Sequence, residues 1–222
     1  LLKYATENQV QKFLYFSSGE VYGQPLNSNK EISEEDHGYI DTMQVRSCYA
    51  ESKRISETMC AAWSKQFNLN TSVVRPFHTY GPGIDLGDGR VFADFVSDVV
   101  AQRNIVLKSD GLARRPFCYV ADATAGFLTV LLKGESSHAY NIANPREELS
   151  IIELGVTLAN LFPERGIEVK YENVKENGGY LKSPISRQKP CIKKISKLGW
   201  EPKTDIKTGF RKTINYYLTN TK

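Results

Sequence analysis

The chain contains two short hydrophobic runs of the kind that form buried strands. Residues 12–16 hold four consecutive large apolar side chains, and residues 71–75 hold a pair of valines. Runs of this kind, rich in aromatic and β-branched residues, are typical of strands covered on both faces. Between them the pattern predicts a helix of about twenty residues that ends near Phe67, and residues 1–8 predict the last turns of an earlier helix. A strand, a helix and a strand in this order indicate a parallel sheet.

The remainder of the chain continues to alternate between strands and helices. An amphipathic helix is predicted over 91–102, after a Gly-Pro loop that begins at Gly81. Beyond it the pattern predicts a smaller lobe on the carboxyl edge of the sheet, with strands at 105–107, 117–120 and 139–142 and helices near 121–132 and 151–161. An exposed loop is predicted over 172–189, followed by closing helices at 193–198 and 207–218.

Composition excludes several classes of protein. With 222 residues, of which 41% are hydrophobic, the chain can bury a substantial core. No run approaches the ~18 apolar residues of a membrane span, and the first residues lack the layout of a signal peptide, so no membrane partner is expected. The net charge of +4 is mild and the lysines are not interleaved with aromatic residues, which argues against nucleic acid. The four cysteines are widely spaced without a metal-ligand pattern, and this favours a cytoplasmic location.

Tyr49 and Lys53 give the strongest chemical signal. Residues four apart on a helix lie on one face, so the Lys53 ammonium can sit beside the Tyr49 phenol. An ordinary phenol titrates near pH ~10, and an adjacent cation favours its ionised form, which can act as a base near neutral pH. Ser18 follows the first predicted strand, and its hydroxyl can hydrogen-bond the same substrate oxygen that Tyr49 deprotonates. Together they predict a site for moving a proton and a hydride.

Five motifs that follow one another along the chain carry a family resemblance. They are FSSGEVYG at 16–23, Tyr49 with Lys53, RPFHTYGP at 75–82, RPFCYVAD at 115–122 and LGWEP at 198–202. In this combination the chain resembles the extended short-chain dehydrogenase/reductase family, in particular its nucleotide-sugar epimerases, dehydratases and decarboxylases. The stretches RSCY at 46–49 and DGRV at 88–91 make it most similar to UDP-glucuronate decarboxylases.

The resemblance implies an α/β fold, with a partial Rossmann-type doubly wound parallel sheet and a smaller C-terminal substrate-binding lobe. Residues 1–80 would form the carboxyl part of the dinucleotide-binding domain with the catalytic helix. Residues 81–222 would form mainly the substrate-binding lobe, with some segments that return to the Rossmann sheet. The implied cofactor is NAD, held in part by Tyr49 and Lys53, the implied substrate is a nucleotide sugar, and a homodimer through the Tyr49 helix is expected.

The family's glycine-rich cofactor turn has no counterpart in the chain. No G-x-x-G-x-x-G or G-x-G-x-x-G sequence occurs in it. Such a turn normally opens the cofactor domain and places a helix amino terminus at the pyrophosphate. We therefore expect the chain to be part of a longer polypeptide; a truncated homologue that binds the cofactor weakly is the alternative.

Glu20 and Gly19 bear on the reaction that follows oxidation of the sugar. In family members that decarboxylate UDP-glucuronate or dehydrate a hexose, a glutamate at the position of Glu20 handles protons near carbon 5. On an extended segment Glu20 and Ser18 can point to one face. Gly19 stands where many dTDP-glucose 4,6-dehydratases carry an aspartate, and glycine cannot donate a proton. A solvated loop carboxylate is the structural alternative for Glu20.

Four further residues match substrate-binding positions of the family. Arg115 matches an arginine that binds the diphosphate, since a guanidinium offers a planar fork to phosphate oxygens. A structural ion pair is the alternative for Arg115. Arg187 aligns with an arginine that in decarboxylases reaches the carboxylate or the diphosphate, unless it is simply solvated. Arg90 could contact the nucleotide or the sugar, or cap a helix. His78 replaces a common asparagine, and its protonation would make binding depend on pH; a packed histidine is the alternative.

These residues lead to one hypothesis and several alternatives. The hypothesis is an NAD-dependent nucleotide-sugar enzyme that acts through a 4-keto intermediate, most like a UDP-glucuronate decarboxylase. Within the same class a 4,6-dehydratase, a 4-epimerase and a keto-sugar reductase remain open. A non-enzymatic alternative is a subunit that binds sugar nucleotides and lacks the redox half.

Overall fold

The computed structural model describes residues 1–25, 30–172 and 185–220. Its α-helices are α1 (Leu2–Glu7), α2 (Ser47–Phe67), α3 (Val91–Val100), α4 (Val120–Lys133), α5 (Ile151–Leu161), α6 (Lys193–Ser196) and α7 (Ile206–Asn220). Its strands are β1 (Phe13–Phe16), β2 (Thr71–Pro76), β3 (Thr79–Tyr80), β4 (Ile105–Leu107), β5 (Arg114–Pro116), β6 (Cys118–Tyr119), β7 (His138–Ile142), β8 (Glu148–Ser150) and β9 (Val169–Tyr171). Short 3-10 helices cover Gly19–Tyr22 and Pro163–Arg165. Within the described ranges, no helix combines the length and the apolar character needed to cross a membrane.

Strands β1, β2 and β7 form the main sheet, in which all three strands are parallel and β2 is central. Strand β2 is buried from Thr71 to Arg75, because both of its edges are paired and helices α2 and α4 pack against it. Strand β1 is less covered, and Phe16 at its end is 47% exposed. The prediction of a strand at residues 12–16 that is buried on both faces is therefore wrong at Phe16. In the described part of the chain, β1 pairs with one neighbouring strand only.

The main sheet contains one strand that the hydrophobic pattern assigned to the smaller lobe. Strand β7 pairs with β2, and helix α4 packs against β1, β2 and β7. The prediction that residues 139–142 and 121–132 belong to the lobe is therefore wrong. A short apolar run shows that a strand is buried, but the partner that buries it is set by tertiary packing. The domain boundary at residue 80 stays a prediction.

The lobe is built from the remaining elements around an aromatic core. Helices α3, α5 and α7 contact one another, and three short strand pairs, β3 with β6, β4 with β9 and β5 with β8, surround them. At its centre the rings of Tyr80 and Phe210 stack with centroids 3.9 Å apart, and Phe117 packs edge-on against both. Such pairs add stability beyond the area they bury. This core fixes the lobe beside the carboxyl end of the main sheet.

Helix α2 carries the Tyr49 and Lys53 pair on a surface that is largely open. Among its side chains only Ala50 and Cys60 are buried, while Ile55 and Met59 are 57% and 44% exposed. The helix ends at Asn68, which adopts a left-handed conformation with φ of 55°. Asparagine tolerates this conformation better than most residues do, so it can terminate the helix there.

Candidate active site

A cleft of about 660 Å³ lies where the main sheet meets the lobe. It is lined by the turn after β1, the start of α2, the loop after β2, the start of α3, one residue of α4 and one residue of the C-terminal segment. The lining residues are Ser17, Ser18, Gly19, Glu20, Arg46, Tyr49, Pro76, Phe77, His78, Thr79, Arg90, Val91, Phe92, Phe127 and Gln188. Five residues predicted from the sequence therefore meet in one cleft: Ser18, Glu20, Tyr49, His78 and Arg90.

Ser18 and Glu20 enter the cleft from a 3-10 helix rather than from an extended segment. Ser18 is the N-cap of this helix, and its Oγ accepts a hydrogen bond of 3.2 Å from the Glu20 backbone N–H. Serine is a favoured N-cap because its oxygen satisfies such a donor. The cap uses the acceptor side of the Ser18 hydroxyl, so its hydrogen can still be donated to a ligand. The predicted extended geometry is thus wrong, although both residues line the cleft.

Tyr49 lines the cleft, and Lys53 lies beside it on helix α2. Tyr49 is 50% exposed, and the Lys53 Nζ lies 5.7 Å from the centroid of its ring and 5.3 Å from that of Tyr15. The ammonium also donates a hydrogen bond of 2.9 Å to the Phe16 carbonyl at the end of β1. This contact fixes the cation next to the phenol, as the spacing of four residues predicts.

Two arginines fasten helix α2 to the turn that carries Glu20. Arg75 on β2 binds both carboxylate oxygens of Glu57, at 2.9 and 2.6 Å, and also donates to the Tyr22 hydroxyl at 2.8 Å. Arg54 donates from α2 to the Val21 carbonyl at 2.8 Å. Burial disfavours the charged guanidinium of Arg75, but its hydrogen bonds to Glu57 outweigh this and raise its pKa above the ordinary value. We call this group, Arg54, Glu57, Arg75 and Tyr22, the clamp.

His78 is packed against the cleft wall with one ring nitrogen unsatisfied. Its Nδ1 is buried and has no hydrogen-bond partner among the described residues, and its ring lies edge-on to Phe117 at 5.9 Å. Burial, together with the positive charges of Arg115 and Arg90, lowers the pKa of His78 to about 3. The imidazole is therefore neutral near pH 7, and the expectation that its protonation makes binding pH-dependent is wrong in that range.

Arg90 lines the cleft and also begins helix α3. It is the N-cap residue of α3, its guanidinium pairs with Asp88, and its charged end lies 4.9 Å from the Phe92 ring centroid. The Asp88 carboxylate partly neutralises it, and the hydrogen bonds from Arg90 hold the pKa of Asp88 below its ordinary value despite some burial. Arg90 thus stands at a helix end and lines the cleft, and its contact with a nucleotide or a sugar stays a prediction.

Arg115 and Arg187 do not line the cleft. Arg115 is 8% exposed and donates to the carbonyls of Ile185, at 2.7 Å, and Ser186, at 3.3 Å. Arg187 binds both carboxylate oxygens of Glu148, at 2.8 and 2.7 Å. Its hydrogen bonds lower the pKa of Glu148. Their contacts with a substrate stay predictions, while the contacts seen here hold the C-terminal segment on the lobe.

Comparison with known proteins decides the family. The model of the NAD dependent epimerase/dehydratase family matches residues 1–143. The chain belongs to the NAD dependent epimerase/dehydratase family. It is 33% identical to UDP-glucuronic acid decarboxylase 6 of Arabidopsis thaliana over 199 residues, which are 89% of this chain and 55% of that protein. It is also 33% identical to UDP-glucuronic acid decarboxylase 1 of Xenopus tropicalis over 207 residues, 93% of this chain and 47% of that protein. The chain thus spans about half the length of these relatives.

A solved structure confirms the Rossmann-type fold of this epimerase/dehydratase chain. UDP-glucose 4-epimerase of Thermotoga maritima with UDP-glucose superimposes with a TM-score of 0.83. The match covers 100% of this chain and 68% of that one at 22% identity, and at this identity it shows the fold alone.

The epimerase/dehydratase cleft has features that fit the nicotinamide end of the family's cofactor. Tyr49 lines it with Lys53 beside the ring, and Ser17 Oγ is buried without a hydrogen-bond partner among the described residues. A buried hydroxyl without a partner is costly, and a polar ligand group would satisfy it. Tyr49, Lys53 and Ser17 are therefore the residues that could hold this end of the cofactor. The described residues hold no cluster of side chains that could bind a metal ion.

Besides Ser17, sequence reasoning missed two polar residues that line the cleft, Arg46 and Gln188. Arg46, three residues before Tyr49, adds a positive charge to the lining. Gln188 is 2% exposed, although the sequence predicts an exposed loop over 172–189, most of which lies outside the described residues. The RSCY motif could have indicated Arg46, whereas nothing in the local pattern around Gln188 signals burial.

Proposed function

We propose that the protein oxidises a nucleotide sugar at carbon 4 with NAD, and that its preferred reaction is decarboxylation of UDP-glucuronate. The meeting of Ser18, Glu20 and Tyr49 in one cleft, with Lys53 beside the phenol, carries this proposal. The 33% identity to UDP-glucuronic acid decarboxylases supports the choice of substrate. The same set of residues disfavours the non-enzymatic alternative, because a binding subunit does not need a base beside a cation.

The chemistry proposed for these residues begins at the carbon 4 hydroxyl. Ser18 donates a hydrogen bond to this oxygen and holds it, while the Tyr49 phenolate accepts its proton. The Lys53 ammonium stabilises the negative charge on the phenolate. When bound, NAD would supply an oxidised nicotinamide that accepts the hydrogen of carbon 4 as a hydride. Return of this hydride to the sugar would leave the cofactor unchanged overall. The sugar then carries a ketone at carbon 4.

The second stage is proposed to involve Glu20. A ketone at carbon 4 makes the carboxylate on carbon 5 labile, because the electrons of the breaking carbon–carbon bond can move towards the carbonyl. Loss of carbon dioxide leaves carbon 5 in need of a proton, and Glu20, which lines the cleft beside Ser18, can manage this proton transfer. Arg46 and Arg90 give the cleft positive charge for an anionic substrate, and Arg115 and His78 are further proposed contacts for the nucleotide sugar.

Gly19 argues against the 4,6-dehydratase alternative on steric grounds as well. A Cβ at this position would lie 2.6 Å from the Phe77 ring, and Phe77 is 2% exposed. Phe77 therefore occupies the space that the side chain of an aspartate would need at residue 19.

The position of Arg187 favours one second candidate. Its guanidinium pairs with Glu148, so the C-terminal segment brings the neutral amide of Gln188 to the cleft instead of a cation. A cleft lined by this neutral amide is compatible with a sugar that has no carboxylate, such as the substrate of a 4-epimerase or a keto-sugar reductase. Substrate preference separates the two candidates.

Product analysis tests the proposed function. The purified native-length protein is incubated with NAD and UDP-glucuronate, and carbon dioxide and UDP-pentose are measured. Release of both in equal amounts is expected. Turnover of UDP-glucose or of a 4-keto sugar nucleotide, with no carbon dioxide from UDP-glucuronate, would replace decarboxylation by the second candidate.

We also propose a homodimer through α2 and a cytoplasmic location. The exposed apolar side chains of Ile55 and Met59 on α2 support the first, since paired helices would cover them. The four free cysteines, of which Cys60 and Cys118 are buried, are compatible with the second.

A further inference from the structure

Gln188 lies on a segment whose backbone is fixed on both sides of it. Before it, the Arg114 N–H donates to the Ser186 carbonyl at 2.9 Å. After it, the Ile32 N–H donates to the Lys189 carbonyl at 2.8 Å, and Pro190 forms a bridge with Ile32. The segment therefore runs from the lobe to the main domain in a defined position.

Side chains along this segment point in different directions. Arg187 turns towards the lobe, where Glu148 binds it, and Gln188 turns into the cleft. Successive side chains alternate on an extended segment, so Gln188 points away from the side on which Glu148 binds Arg187.

The amide of Gln188 has hydrogen-bonding capacity that the protein does not use. Its Nε2 donates to the Gly19 carbonyl at 3.5 Å, the only hydrogen bond of this side chain to the described residues. A glutamine amide can donate two hydrogen bonds and accept two. Because the residue is 2% exposed, the unused capacity faces the cleft and not bulk water. A ligand in the cleft can use this capacity.

The neighbours of Gln188 indicate which part of a ligand it meets. It touches Gly19, which lies between Ser18 and Glu20 in the same wall of the cleft. When Ser18 and Tyr49 hold the carbon 4 hydroxyl, the substituent on carbon 5 lies one ring atom further, next to Glu20. The amide can donate to a carboxylate or hydroxyl oxygen there.

We infer that Gln188 is a further substrate-binding residue, whose amide hydrogen-bonds the oxygen-bearing substituent on carbon 5 of the sugar. This assignment rests on the proposed function, since it uses the placement of carbon 4 at Tyr49. The amide tolerates a charged or an uncharged substituent, whereas a carboxylate in its place would repel a charged one. A negative charge introduced at position 188 should therefore disfavour the charged sugar and spare the uncharged one.

Binding measurements test this inference without turnover. Tyr49→Phe protein, and the same protein with Gln188→Glu, Gln188→Leu or Gln66→Glu, are titrated with UDP, UDP-glucose and UDP-glucuronate by calorimetry. Gln66→Glu is the matched control, because Gln66 is exposed on α2 and the change in charge is the same. Melting curves verify that each variant is folded. Gln188→Asp, which introduces the same negative charge on a shorter side chain, replaces Gln188→Glu if that variant unfolds, and Gln188→Asn keeps the amide but withdraws it.

Gln188→Glu should weaken UDP-glucuronate binding by about tenfold or more and UDP-glucose binding by less than about threefold, with UDP unchanged. Gln188→Leu should weaken the binding of both sugar nucleotides relative to that of UDP. Gln188→Asn should weaken it to a smaller extent. Equal changes for all three ligands, or none, would overturn the assignment. If the binding ratios shift as expected but native-length wild-type protein with NAD converts no sugar nucleotide, the proposed function fails and the subsite stands.

Discussion

Arg75 and Glu57 form a bidentate ion pair that joins the central strand β2 to helix α2. Both oxygens of Glu57 are engaged, at 2.9 and 2.6 Å, and the two side chains are only 10% and 15% exposed. Glu57 lies one turn beyond Lys53, and Lys53 one turn beyond Tyr49, so the pair holds the helix face that carries the chemistry. Through Tyr22 the same arginine reaches the turn that carries Glu20.

Arg75→Met should destabilise the protein strongly. The variant leaves the Glu57 carboxylate partly buried without its partner, and such a loss costs about 3 kcal/mol or more. Urea unfolding measures this loss of unfolding free energy. The double variant Arg75→Met with Glu57→Met should lose less unfolding free energy than the sum of the losses in the two single variants. Arg103→Met is the matched control, because Arg103 pairs with Asp98 at 3.0 Å but is 60% exposed, and the expected cost is below about 1 kcal/mol. Equal losses at Arg75 and Arg103 would contradict the role of the clamp.

Gly19→Ala should destabilise the protein because the site has no room for a side chain. The added Cβ would meet the Phe77 ring at 2.6 Å, and overpacking of this kind costs about 1–3 kcal/mol. Phe77→Leu in the same protein should recover part of the loss. Gly87→Ala is the control, since the nearest atom to a Cβ there is Asp85 Oδ1 at 3.4 Å. A Gly19→Ala protein as stable as the wild type would show that Phe77 moves away readily.

His78 should make stability depend on pH below its ordinary pKa. The folded-state pKa of about 3 lies below the ordinary 6.5, so as the pH falls the unfolded chain takes up the proton first. The stabilisation is present in full above pH 6.5 and is lost as the pH falls towards 3. His78→Asn should therefore flatten the decline in unfolding free energy across that window, by up to about 1.4 kcal/mol per pH unit.

The control for His78 is His37→Gln, because His37 is exposed. Its pH profile of stability should match that of the wild type. Identical profiles for wild type and His78→Asn would contradict the burial of a neutral imidazole.

The sequence predicts best what depends on local spacing. Tyr49 and Lys53 meet because a helix brings residues four apart onto one face, and helix α2 spans Ser47–Phe67 much as the pattern predicts. The strands β1 and β2 follow their hydrophobic runs for the same reason. Local rules sufficed for these elements and for the motifs attached to their ends.

Contacts between distant parts of the chain could not be predicted in this way. Gln188 meets Gly19 across 169 positions, and no periodicity in its surroundings reports that contact. Arg187 is predicted to contact the substrate from a family motif, and its ion pair with Glu148 of β8 is a contact that the motif does not report. The wrong placement of β7 has the same origin. A hydrophobic run predicts that a strand is buried, but it does not predict which elements pack against that strand.

The most direct test of the central claim compares Tyr49→Phe with the wild type in the first oxidation step. UDP-glucuronate and NAD are mixed with excess protein, and the appearance of the 4-keto sugar or its product is followed in a single turnover. A parallel sample uses UDP-glucuronate with deuterium on carbon 4. The phenol is essential in this account, so Tyr49→Phe should lower the rate by at least about 10³-fold, while UDP-glucuronate binds as tightly as before. Wild-type turnover should slow with the deuterated sugar. Oxidation at a comparable rate in Tyr49→Phe would contradict the proton transfer on which the account rests.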